Sequence, residues 1–201
     1  FKPDTYNAER APRVITNGET LGSIVFTEFP TSGGYGPETQ IVGDLHLSGS
    51  FTAKLPYVRQ TITGSKIFIG GDFSLSRVLG GNRWSSDFTV QFNGSVDQNL
   101  NIDNTLYGYP STDKLENHLF VEVNKASGQV VLQANLKAKT LTMTSGTLNR
   151  NAYSCDSNGV ACSGATIIGQ QYPDFFKWMK NLNSAGYPHT LQSSYNMRID
   201  R

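Results

Sequence analysis

From Gly22 onward, apolar and polar residues alternate in short runs, the period of strands that bury one face and wet the other. The stretch Ser23 to Phe29 is rich in β-branched and aromatic residues and stops at Pro30. The clearest alternation follows: Ile41, Gly43, Leu45, Leu47, Gly49, Phe51, Ala53 and Leu55 hold every second position, with Asp44, His46, Ser48, Ser50, Thr52 and Lys54 between them. Residues 61–77 repeat the theme with Ile67, Ile69, Phe73 and Leu75, and Gly70-Gly71 predicts a bulge or bend. Phe88, Val90 and Phe92 lead to Asn93-Gly94, a dipeptide that favours a tight hairpin, and the pattern resumes at Val96, Leu100 and Ile102. Strands over 119–123 and 129–136 are expected to form a second hairpin across Lys125-Ala126-Ser127-Gly128. Leu141 and Met143 then alternate with a row of Thr140, Thr142 and Thr144.

Only residues 174–183 carry a helical period, with Phe175, Phe176, Trp178, Met179 and Leu182 on one stripe and Pro173 and Asp174 at its start. The expected architecture is all-β and predominantly antiparallel: a β-sandwich or small β-barrel with one short amphipathic helix near the C-terminus. Residues 1–20, with Pro3, Pro12 and Gly18 and no sustained period, are read as an extended N-terminal arm, and residues 21–201 as a single β domain. A solenoid of stacked strands is the rival architecture, and the lack of a constant repeat length argues against it.

Composition narrows the function. Only 16% of the 201 residues are charged, against about 25% in an average domain, so Ser, Thr, Asn, Gln and Gly must finish the surface. A net charge of +1 supplies no field for phosphate backbones, which excludes nucleic acid as the expected partner. No run approaches the roughly 20 apolar residues of a transmembrane segment. The opening Phe1-Lys2-Pro3-Asp4 reads as a mature or trimmed chain. Cys155 and Cys162 flank an Asp-Ser-Asn-Gly turn and are expected to form a disulfide, which places the chain outside the cytoplasm, secreted or on a cell surface. Two cysteines without a nearby histidine do not make a zinc site.

Catalytic and cofactor motifs are sparse. There is no Gly-x-Ser-x-Gly elbow and no phosphate-binding glycine loop, so no catalytic residue and no cofactor is assigned. Asp44, Asp72, Asp87 and Glu122 are the carboxylates that a carbohydrate-active enzyme would draw on, a second alternative. A haem or small-ligand carrier, the first alternative, would use His46, His118 or His189 as axial ligand. Asp97, Asn99, Asn101 and Asp103 resemble half of a calcium loop but lack its glycine and distal glutamate; an outward polar strand face is the better reading, and no metal is assigned. The leading expectation is a non-enzymatic binding module, microbial and surface-displayed, of adhesin or receptor type. It would grip a host glycan or protein through loops carrying Tyr35, Trp84, Tyr107, Tyr109 and Tyr187, with His189 beside them.

Overall fold

A short strand with apolar side chains at alternate positions buries one face whether its neighbours run parallel or antiparallel. The turns between strands decide which arrangement forms. The computed structural model describes residues 13–26, 39–53, 58–60, 65–76, 87–102 and 117–169. Within them the strands stack mostly in parallel, as a β-solenoid of about five turns. The expected antiparallel sandwich or barrel is therefore overturned.

The first side of the solenoid stacks β2 (Thr20–Leu21), β5 (Leu45–Leu47), β8 (Lys66–Ile69), β10 (Phe88–Phe92), the first half of β12 (Leu119–Leu132) and the first half of β14 (Thr140–Asn149). The second side stacks β3 (Ile24–Phe26), β6 (Phe51–Ala53), β9 (Phe73–Leu75), β11 (Gln98–Ile102), the second halves of β12 and β14, and β17 (Ile167–Ile168). At the third position of the winding, β1 (Arg13–Ile15), β4 (Thr39–Val42) and β7 (Val58–Gln60) pair in parallel, as do β13 (Leu136–Ala138) and β15 (Cys155–Ser157). β16 (Val160–Ala161) folds back on β15, the one antiparallel pairing among the described strands.

Register places like on like. Leu21 pairs with Leu47, Leu47 with Ile69, and Ile69 with Phe92, so one inward column is apolar throughout. On the second side Phe51 stacks on Phe73 at 5.2 Å between ring centroids, and Phe26 and Phe92 meet this pair edge-on at 5.6 and 6.4 Å. Phe51, Phe73, Phe88, Phe92, Leu45, Ile67 and Ile69 are fully buried, and each such side chain contributes about 1.5–3 kcal/mol. The interior is a packed column, not a ligand-holding barrel.

Between the first and second sides each coil turns within a few residues, and glycines sit where the backbones crowd. Gly49 N–H donates to Gly22 O at 2.8 Å, and Gly71 N–H to Gly49 O at 2.9 Å. Both supposed hairpins are such corners. At Asn93-Gly94 the chain does not reverse but continues into β11, parallel to β9. Gly94 is not in the left-handed region that a tight hairpin would need. Glycine is required there by proximity, since a Cβ would lie 2.1 Å from Gly70 O. Residues 125–128 form a corner inside β12, where Gly128 combines a φ of +69° with a Cβ position 2.6 Å from the Val96 carbonyl carbon. Gly70-Gly71 is likewise a corner and not a bulge within a strand.

The corner at 93–97 is wider than those before it, and a polar plug fills its inner side. Lys125 is buried, and its Nζ donates to Gly94 O at 2.6 Å, to Val96 O at 2.8 Å, and to Gln98 Oε1. Gln98, also buried, accepts from Gly94 N–H at 3.0 Å and donates through Nε2 to Ile69 O at 2.9 Å and Gly71 O at 2.5 Å. Burial pulls the Lys125 ammonium below its ordinary value of 10.5, and the charge of Asp97 opposes that pull. Three oxygens around Nζ make the burial tolerable.

The expected helix at 174–183 lies outside the described residues. Cys155 and Cys162 form the expected disulfide, and this short loop contributes about 2 kcal/mol by chain entropy. Two predictions follow from the corner geometry. Gly94→Ala is expected to cost about 2–3 kcal/mol, whereas Gly22→Ala, with nothing within 4 Å of its Cβ position, is expected to fall within about 0.5 kcal/mol of the parent; urea unfolding followed by circular dichroism compares them. In the same assay Lys125→Met, which strands the Gly94 and Val96 carbonyls and takes from Gln98 Oε1 one of its two donors, is expected to cost about 3 kcal/mol.

Candidate functional site

A solenoid presents its outward side chains in columns, one per rung, at about 4.8 Å spacing. On the second side one column runs Val25, Thr52, Ser74 and Asn101, and Gln133 follows just after Leu132, the partner of Leu100. Beside it stand Asp72, Asn99, Val131 and Asn149. Asp72, Phe73, Ser74, Asn99, Asn101 and Gln133 line an open, shallow groove on this side.

Hydrogen bonds between rungs hold the groove in shape. Ser50 N–H donates to Ser23 Oγ at 2.9 Å, and Asp72 N–H donates to Ser50 Oγ at 2.9 Å. Asn99 donates to Asp72 Oδ1 through its backbone N–H at 2.7 Å and through Nδ2 at 3.3 Å. Gln133 Nε2 in turn donates to Asn99 Oδ1 at 2.6 Å. The Asp72 carboxylate is thus occupied internally, and it orients the carboxamides above it. Ser74 and the Asn101 carboxamide have no partner among the described residues, and both sit on the groove wall. The groove offers amide and hydroxyl donors and acceptors and no uncommitted charge.

The first side is chemically different, because its groups satisfy one another. His46 lies flat on Phe68, with ring centroids 4.4 Å apart and planes within 3°. Lys66 Nζ bonds Glu122 Oε2 at 2.6 Å. Asp87 receives His118 Nδ1 at 2.9 Å on one oxygen and Lys139 Nζ at 3.0 Å on the other, and Lys139 also sits 5.0 Å over the Phe120 ring. Partial burial pushes the Asp87 pKa up, but hydrogen bonds and charge from Lys139 and His118 outweigh this and hold it below 3.8.

The residues singled out in the sequence separate accordingly. The four carboxylates are engaged one by one: Asp44 accepts Lys66 N–H at 2.8 Å, Asp72 serves Asn99, Asp87 serves His118 and Lys139, and Glu122 serves Lys66. Of the four, Asp72 alone lines the groove of the second side. His46 and His118 lie on the outside of the first side, one against the Phe68 ring and one against the Asp87 carboxylate. Among the described residues no three His, Cys, Asp or Glu side chains cluster as metal ligands. Of the half calcium loop, Asn99 and Asn101 point outward on β11, while Val96, expected to be inward, is 65% exposed, and Gln98 is the buried residue. Tyr35, Trp84, Tyr107, Tyr109, Tyr187 and His189 lie outside the described residues.

The Ser74, Asn101 and Gln133 groove was not anticipated. Its signal is the polar residue that follows each corner at the outward position, visible only once the strands are paired. Among the described residues no helix is long and apolar enough to cross a membrane. Comparison with protein-family models, with curated proteins and with solved structures returned no match to this chain.

The Asp87 cluster carries a pH signature. A carboxylate held below its ordinary value stabilises the fold above about pH 4, and that contribution disappears as pH falls through its folded-state pKa. Half of the Asp87 side chain is exposed, so the increment is small. Thermal melts of Asp87→Asn are expected to show a slightly lower Tm than the parent at neutral pH and convergence of the two in strong acid.

Proposed function

We propose that this chain is a non-enzymatic recognition module of an extracytoplasmic, microbial surface, and that it binds a neutral, hydroxyl-rich ligand, a glycan chain, along the groove of its second side. The observation that carries the reading is the groove wall: Ser74 and Asn101 lack partners among the described residues, beside Asn99 and Gln133 already oriented by Asp72. Such a surface matches the mixed donors and acceptors of sugar hydroxyls. It offers no free charge to a phosphate or a strongly acidic ligand. The disulfide supports an oxidising location. A non-enzymatic role accords with four carboxylates that are each separately engaged, and a haem-carrier role is not favoured by a His46 ring stacked on Phe68 and a His118 Nδ1 bonded to Asp87.

The parent is expected to bind at least one neutral oligosaccharide on a broad glycan array. Asn101→Ala combined with Gln133→Ala should weaken that binding about tenfold or more, each lost hydrogen bond contributing about 1 kcal/mol, with Tm lowered only slightly by loss of the Gln133–Asn99 bond. A parent that binds no glycan, or a double variant that binds as well as the parent, would remove this reading.

A further inference from the structure

The groove of the second side has a direction. Its wall is a column with one side chain per rung: Thr52 pairs with Ser74 and Ser74 with Asn101 without a register shift, and the Gln133 N–H donates to Leu100 O at 2.9 Å, which carries the column one rung further. Ser74, Asn101 and Gln133 line the groove, so its donors and acceptors recur along the solenoid axis at about 4.8 Å. Across a rung the interval is longer, because outward neighbours such as Asn99 and Asn101 stand two residues apart on their strand, about 6.6 Å. The groove encloses about 470 Å³, the scale of a site for a small ligand and not of a protein interface.

A ligand that meets one group on every rung must itself repeat near that spacing. Pyranose sugars joined through equatorial 1,4 bonds form an extended chain that advances by one ring per unit, close to the rung interval, whereas α-1,4-linked glucose curls away from a straight column. Successive sugars of the extended chain turn opposite edges to one wall, and a hydroxyl or carboxamide, able both to donate and to accept, serves either edge. Charge narrows the sugar further. Asp72 is the charged side chain of the lining, and both its oxygens already accept from Asn99 Nδ2 at 3.3 Å, so an acidic sugar would meet a like charge with no cation in the lining to offset it. Resting on the reading of this groove as a glycan site, we infer that the ligand is an extended, neutral, equatorially 1,4-linked pyranose chain that lies along the solenoid axis, one sugar against each of Ser74, Asn101 and Gln133.

Calorimetric titration of the full chain tests this, with β-1,4-linked oligomers of glucose, mannose and N-acetylglucosamine, one to six sugars long, set against the α-1,4-linked glucose series. In at least one β-1,4 series affinity is expected to rise on the order of fivefold per sugar up to three sugars and to level off beyond, while the α-1,4 series stays near its monosaccharide value. Ser74→Ala is expected to abolish the gain from two sugars to three. A β-1,4 affinity independent of length, an α-1,4 series that climbs equally, or a Ser74→Ala effect that is the same at every length overturns the inference but leaves the groove as a glycan site. So does glycan-array binding confined to other linkages. A parent that binds no glycan at all removes both.

Discussion

In a parallel stack each corner residue has another backbone directly above and below it, about 4.8 Å away, and this crowding is the constraint on which the molecule rests. The first-to-second-side turn must be made in very few residues, in nearly the same place on every coil. Gly22, Gly49 and Gly71 stack there through N–H to carbonyl bonds, and Gly94 lies where a single methyl group would collide with Gly70 O. With the corners superposed, the inward columns of Leu, Ile and Phe fall into register without further instruction. The stacked Phe51 and Phe73 rings are a consequence of corner alignment as much as of hydrophobicity.

The plug of Lys125 and Gln98 shows how the fold absorbs a departure from that constraint. Residues 93–97 make a longer corner than the two or three residues of the coils below, and the wider turn leaves carbonyls facing inward. An apolar side chain there would leave Gly94 O and Val96 O buried without donors, each at a cost of about 1–3 kcal/mol. A lysine reaching across from the next coil supplies donors to both and to Gln98, which passes the connection down to Ile69 O and Gly71 O. Burying one cation is tolerated because it resolves several unpaired oxygens at once.

This geometry also explains which features the sequence displays. Alternation at Leu45 to Leu47, Ile67 to Ile69, Phe88 to Phe92 and Leu119 to Val123 identifies the strands and their buried faces, all confirmed by burial. It carries no information on whether neighbours are parallel, so strand direction had to be judged from turns, and Asn93-Gly94 has the same composition as a hairpin. Repeat length misled for a physical reason. Residues bonded across adjacent rungs are separated by 27, 22, 27, 32 and 20 positions at Ser23/Ser50, Ser50/Asp72, Asp72/Asn99, Asp97/Gln129 and Gln129/Asn149. The stretch from each second-side strand to the next first-side strand varies more in length than the corner does. A local string recurs at the corners, in which an apolar residue follows glycine and one small or polar residue, as in Gly49-Ser50-Phe51, Gly71-Asp72-Phe73, Gly94-Ser95-Val96, Gly128-Gln129-Val130 and Gly146-Thr147-Leu148. Those strings mark the corners, but the widened corner after Gly94 turns Val96 outward, so aligning them sets Ser74 against Asp97 and hides its true partner Asn101. The inward turn of Lys125 and Gln98 has no such signature, since it depends on where carbonyls point inside one widened corner.

The two outer faces of the same stack diverge because of how their polar groups are paired. On the first side, long charged side chains reach across rungs and find opposite charges: Lys66 meets Glu122, and Asp87 gathers His118 and Lys139. Those partners occupy the hydrogen-bonding capacity that a ligand would otherwise use, and an incoming molecule would have to break an ion pair for each contact it made. On the second side the side chains are short hydroxyls and carboxamides. A carboxamide has more donors and acceptors than one neighbour can occupy. Asp72 fixes Asn99, Asn99 fixes Gln133, and capacity remains at Ser74 and Asn101 on a wall whose orientation has already been set. Binding there would order little that is not ordered already, so the entropy that opposes association is reduced. Side-chain length and charge, laid on two sides of one backbone scaffold, thus make the first side a brace and the second a surface suited to recognition.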